Sequence, residues 1–236
     1  MKSLIKILFA LAIMLVSIYY IHDYYVTHKK KSESLVVITD SSKFISDLRE
    51  KHNNNEIMLY LEIPQVFSIP VPQTENNEYY YTHDIDKKNN SFGSPFLDYR
   101  VKSLTDKKLI IYGHKDNYRS YPFNNILNYQ KEEYFKKNPK IFIYKDSGKE
   151  VYNIFTVFLE ESDTNYLELK AMNNIEFYEH ILKYKDKSLY DTGATIDGDS
   201  KVIVLTTSAS DSYSESKKTI VVMAIEDRHY KEEIKD

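Results

Sequence analysis

Two apolar runs near the C-terminus constrain this chain most. Val202-Ile203-Val204-Leu205-Thr206-Thr207 and Thr219-Ile220-Val221-Val222-Met223-Ala224 flank a polar loop from Ser208 to Lys218. Runs rich in Val, Ile and Thr around a Ser/Asp/Lys loop are the pattern of paired strands. Val202 to Leu205 shows no polar alternation, so both faces of that strand need cover, and the pair is predicted to lie inside a sheet or barrel wall. A loop leaving a buried strand end is well placed to carry a reactive side chain, because the strand beneath holds it still. Taken alone, the stretch reads as an ordinary interior hairpin.

The remaining pattern is mostly short strands. Ile57 to Ile63 reads as a strand, whereas Pro64, Pro70 and Pro72 reduce Ser68 to Val71 to a short edge piece. Leu109-Ile110-Ile111-Tyr112-Gly113-His114 is a buried strand ending in Gly-His. Ile141 to Tyr144 and Val151 to Leu159 flank Asp146-Ser147-Gly148, a hairpin signal. Helices are predicted over Ser41 to Lys51, capped by Ser41 or Ser42, over Glu132 to Lys137, and over Ile175 to Tyr184, capped by Asn173 or Asn174.

At the N-terminus, Leu4 to Ile21 is apolar apart from Lys6 and Ser17. At about 1.5 Å per residue, such a segment just crosses a hydrocarbon layer roughly 30 Å thick. Lys2 and Lys6 on one side and Tyr19, Tyr20, Tyr24 and Tyr25 on the other suit the two interfaces. A cleaved signal peptide is the rival reading, but Ser17-Ile18-Tyr19-Tyr20 is too bulky for a small-x-small cleavage site. The expected division is an anchor over residues 1–27, a linker over 28–40 and one domain over 41–236. Lys29-Lys30-Lys31 argues by charge for the opposite orientation to an outside domain.

Among 236 residues there is no cysteine, which removes disulfides, thiolate metal sites and thiol catalysis. A net charge of -3 gives no reason to expect a nucleic-acid partner. No cluster has metal-ligand spacing and no Gly-rich loop is present, so neither a metal nor a cofactor is expected.

Several stretches, in order, resemble class B sortases. Gly93-Ser94-Pro95-Phe96-Leu97-Asp98-Tyr99-Arg100 is similar to their Gly-x-x-Phe-hydrophobic-Asp-Tyr-Arg segment. Gly113-His114 falls where their catalytic histidine stands, and Phe123 to Leu127 matches the helix start that follows it. Leu205-Thr206-Thr207-Ser208 resembles the Leu-x-Thr-Cys end of the active-site strand, and Ile220-Val221-Val222 the last strand. The resemblance covers about residues 40 to 225. It implies a mainly β fold, a sortase-type β-barrel with peripheral helices behind an N-terminal membrane anchor helix.

The resemblance also implies an activity: a transpeptidase on a Gram-positive cell surface, single-pass in the membrane with the catalytic domain outside. Such an enzyme cleaves the sorting signal of a surface protein or pilin through a covalent intermediate, which a peptidoglycan-precursor or pilin amine resolves. His114 is then the acid/base group. The nucleophile falls at Ser208 when counted from upstream and at Ala209 when counted back from Tyr213-Ser214-Glu215, and neither is a cysteine. The family arginine aligns with Thr219, leaving Lys217 or Lys218 as a stand-in cation. Ser162, Tyr166 and Thr206 match substrate-contacting positions. Loss of the thiol, engineered or natural, implies low or absent turnover. The alternative is a degenerate sortase-fold protein that binds the sorting peptide or assists surface-protein or pilus assembly.

Overall fold

The computed structural model describes residues 14, 16–18, 40–114, 121–161, 164–208 and 218–230. The chain divides into two units, residues 1–39 and 40–236. In the first, Met14, Val16, Ser17 and Ile18 are helical. The rest of the expected anchor lies outside the described residues, and no helix among the described residues is long and apolar enough to cross a membrane.

The second unit is built on one eight-stranded sheet. Its strands are β1 (Ile57–Ile63), β2 (Phe67–Pro72), β3 (Phe96–Leu97), β4 (Lys108–Tyr112), β5 (Lys140–Lys145), β6 (Gly148–Glu160), β7 (Val202–Ser208) and β8 (Thr219–Glu226). They are hydrogen-bonded in the order β2-β1-β5-β6-β8-β7-β4-β3. Every pair is antiparallel except β4 with β7. The two edge strands meet across a seam, where the Gln73 amide after β2 donates to the carbonyls of Asp98 and Val101 after β3, at 2.7 and 2.8 Å. That seam turns the sheet into a nearly closed barrel.

Burial on both faces explains the unbroken apolar runs. Ile203, Leu205, Ile220 and Val222 enter the barrel interior with Leu61, Ile111 and Val157. The alternate residues Val204, Val221 and Met223 pack on the outer face against Phe177, Ile181 and Tyr184. These last three belong to α3 (Asn174–Lys185), so the helix covers what would otherwise be a solvent-facing apolar wall. Its start is a capping box: the Asn173 side chain accepts from the Ile175 and Glu176 amides, and Glu176 accepts from the Asn173 amide.

Two further helices are α1 (Ser41–Lys51) and α2 (Glu132–Lys137). The cap of α1 is Asp40, which accepts from the Lys43 amide at 3.0 Å, one residue ahead of the expected Ser41 or Ser42. The aromatic Tyr79–Tyr81 and the Pro122–Gln130 stretch are 3-10 helices. β2 is longer than expected from its prolines, which are tolerated because it lies at the edge of the sheet.

Candidate active site at the C-terminal ends of β4 and β7

Parallel pairing sends β4 and β7 in the same direction, with Tyr112 level with Thr206. The Gly113 amide extends the pairing by donating to the Thr206 carbonyl at 3.2 Å. His114 lies two residues beyond Tyr112, and Ser208, the last residue of β7, two beyond Thr206, so both follow the last register pair at the same end of the two strands. On its other side β7 pairs with β8, where Ser208 stands opposite Thr219. His114, Ser208 and Thr219 thus follow or end three adjacent strands, β4, β7 and β8.

Gly113 is there for space. A Cβ built on it would sit 2.1 Å from the Phe123 ring, which is wholly buried. Gly113→Ala is therefore expected to lower stability by about 1–3 kcal/mol, the usual cost of overpacking, and to displace the following histidine. Denaturant unfolding checks the first effect.

His114 is held by Tyr81. The two rings meet edge to face, 4.4 Å between centroids, and the Tyr81 backbone hydrogen-bonds the imidazole. Burial pushes the imidazole pKa below its usual value, and the Tyr81 bond only partly opposes this. The ring is thus neutral at pH 7, and its Nε2 is buried without a partner. A buried nitrogen left unsatisfied costs free energy and is characteristic of a functional position. The only other such side-chain atom among the described residues is Thr207 Oγ1, beside Thr206 at the same end of β7.

Beneath this end lies a polar layer. Tyr166 donates to or accepts from Thr206, their hydroxyl oxygens 3.4 Å apart, and both residues are buried. Nearby, fully buried Asp98 accepts from Arg100 Nε at 2.9 Å, from Arg100 Nη2 at 2.6 Å and from the Tyr112 hydroxyl at 2.9 Å. Burial pushes the Asp98 carboxyl up, but the Arg100 and Tyr112 bonds outweigh it and hold its pKa below the ordinary value. Arg100 also donates to the Leu167 carbonyl at 3.2 Å, tying this layer to the segment that carries Tyr166.

The structure thus brings His114, Thr206 and Tyr166 together around the end of β7. Lys218 pairs with Glu161 at 3.0 Å beyond the end of β6, half-exposed. Ser162 and Ala209 lie outside the described residues. One pair was not anticipated from sequence: Lys108, at the start of β4, donates to His180 of α3. Among the described residues no group of His, Asp and Glu is arranged to hold a metal.

No family model matches the chain. Sortase B of Listeria monocytogenes is 27% identical over 175 residues, covering 73% of this chain and 70% of that protein. Sortase B of Staphylococcus aureus is 26% identical over 176 residues, covering 72% and 70%. The chain is similar to class B sortases in sequence. Solved sortase B structures share its fold. The S. aureus sortase B–substrate complex superposes with a TM-score of 0.72 at 22% identity, covering 84% of this chain and 93% of that one. For the L. monocytogenes structure the TM-score is 0.66 at 25% identity, covering 76% and 99%. A cysteine-to-serine mutant of Clostridium perfringens sortase B gives 0.69 at 23% identity, covering 77% and 85%. The chain itself contains no cysteine.

Proposed function

We propose that the ends of β4 and β7 form a class B sortase-type acyl-transfer site for the sorting signal of a surface protein or pilin. His114 serves as the acid/base group, and the nucleophile position is Ser208 or Ala209. Buried Thr206 and Tyr166 form the floor beneath the peptide, and Ser162 is a further peptide-contacting residue. The resolving group is an amine of a peptidoglycan precursor or pilin. The observation that carries this reading is the His114 ring itself, neutral, fixed by Tyr81, with its buried Nε2 free to accept a proton. In the same reading residues 1–27 anchor the chain in the membrane and the domain acts outside the cell.

The chemistry is limited by the nucleophile and by the oxyanion. A serine hydroxyl at Ser208 is a far weaker nucleophile than a thiolate unless a base takes its proton during attack. Lys218, already paired with Glu161, offers a point charge in place of a forked guanidinium. Turnover by the chain as it stands is accordingly slow.

A second reading is favoured by Thr219 facing Ser208, a pairing with neither thiol nor arginine. In it the domain binds a sorting peptide and assists assembly without cleaving it. Anisotropy of labelled sorting peptides, run beside cleavage of their quenched forms, separates the two. Cleavage that disappears in His114→Ala supports acyl transfer, and binding without cleavage supports the second reading. With neither, only the fold relationship stands.

A further inference from the structure

At the opposite end of β4 from His114, Lys108 is 5% exposed and lines a cavity of about 300 Å3 between β4 and α3. Its Nζ donates to the Glu168 carbonyl at 3.0 Å and to His180 Nε2 at 3.2 Å. Both acceptors are neutral, so no carboxylate is hydrogen-bonded to this buried amine, and the Glu168 carboxylate acts on it only from a distance. Burial is normally tolerated by a cation only when it is paired.

The other charges around the cavity are already engaged. Arg100 is held by Asp98, and Lys107 by the Asn174 side chain and the Gly198 carbonyl. The Glu168 carboxylate takes Lys170 at 3.1 Å, and Asp106 accepts from the Lys102 and Ser103 amides. The Lys102 side chain adds a further exposed positive charge at the rim. Leu169, Met172 and Phe177 supply an apolar wall.

We propose that this cavity is a binding site for a small carboxylate with a short apolar body, whose anionic group supplies the hydrogen-bonded counter-charge that Lys108 lacks. The apolar wall favours such a ligand over a bare inorganic oxyanion, which gains nothing from Leu169, Met172 and Phe177. The site is separate from the acyl-transfer site, about 20 Å away along β4 at roughly 3.3 Å per residue.

Binding is coupled to a proton. Burial pushes the Lys108 pKa down to about 7, opposed by Glu168 and reinforced by Arg100. Burial, followed by the Lys108 charge, pushes His180 down to about 4, so this ring stays neutral at the pH values that matter. Above pH 7 the free site holds a neutral amine, and an arriving carboxylate favours the ammonium. Below it the ammonium is already formed.

The test is calorimetry of the full chain with butyrate and, separately, with inorganic phosphate. At pH 8, in two buffers of different ionisation enthalpy, butyrate binding is expected to take up protons. Between pH 6 and pH 9 its affinity is expected to fall by roughly ten- to a hundredfold, a factor of ten for each pKa unit the amine must be raised. Lys108→Met is expected to abolish binding. The proposal is overturned by absence of heat with butyrate, by equal affinity at both pH values without proton uptake, or by undiminished binding to a folded Lys108→Met. Phosphate binding without butyrate binding overturns the carboxylate assignment. The buffer comparison needs no variant, so a misfolded Lys108→Met does not remove the test.

Discussion

Ser208→Cys combined with Thr219→Arg is expected to give a chain that cleaves sorting peptides at least about a thousandfold faster than the parent, on the scale of one restored oxyanion donor together with an activated nucleophile. A thiol ionises near neutrality, whereas a hydroxyl must be deprotonated as it attacks. Because Ser208 and Thr219 are register partners on β7 and β8, the new arginine starts from the strand residue facing the new thiol. Its planar guanidinium offers two parallel donors to a developing oxyanion, which a lysine does not. Quenched-peptide cleavage is the measurement, with His114→Ala in the same background as the control that must lose it. Ala209→Cys with Thr219→Arg serves as the register control, and activity there instead would move the nucleophile by one residue. Silence in both variants would remove the acyl-transfer reading.

Asp98→Ala is expected to be the most destabilising single change in the domain outside the apolar core, by about 2–3 kcal/mol. Breaking a buried ion pair costs about 3–5 kcal/mol, and the 40% exposure of the Arg100 side chain lowers that figure by letting water reach the guanidinium. The Tyr112 hydroxyl loses its acceptor in the same step. The pH dependence has a definite sign. Asp98 has a depressed folded pKa, so its contribution is present above the unfolded carboxylate range near 4 and disappears as pH falls through the folded value. Urea unfolding at neutral pH should therefore separate wild type from Asp98→Ala clearly, and the gap should close in strong acid. A gap that persists there would mean that the loss is one of packing and not of charge.

The runs on β7 and β8 were legible because each residue faces one of two cores, so the pattern survives without knowledge of the tertiary structure. The Asp98-Tyr99-Arg100 segment was legible only by resemblance. By itself it reads as a charged strand end, whereas in the fold Asp98 is fully buried under Arg100 and Tyr112. Caps are set by one backbone angle, so Asp40 displaced the equally plausible Ser41 and Ser42 as the α1 cap. Thr206 and Tyr166 were singled out together and do touch, through a contact that local pattern alone would never have joined. Lys108 and His180 could not have been read at all. A lysine opening a strand and a histidine on a helix both look solvated in sequence, and only packing α3 onto β4 buries them.

The single parallel pair in the sheet has a consequence for how the site comes into being. Antiparallel neighbours such as β5 and β6 are joined by a tight turn and can form early. β4 and β7 cannot, because Lys108 and Val202 are register partners with β5, β6, α2 and α3 between them in the chain. Their closure carries the large loop entropy of a distant contact and is expected late in folding. His114 therefore meets the end of β7 only once β5, β6 and α3 have been made. A ribosome-bound or truncated chain that stops short of β7 can hold folded hairpins and still lack the strand end that faces β4, so the candidate site is assembled only by the finished domain.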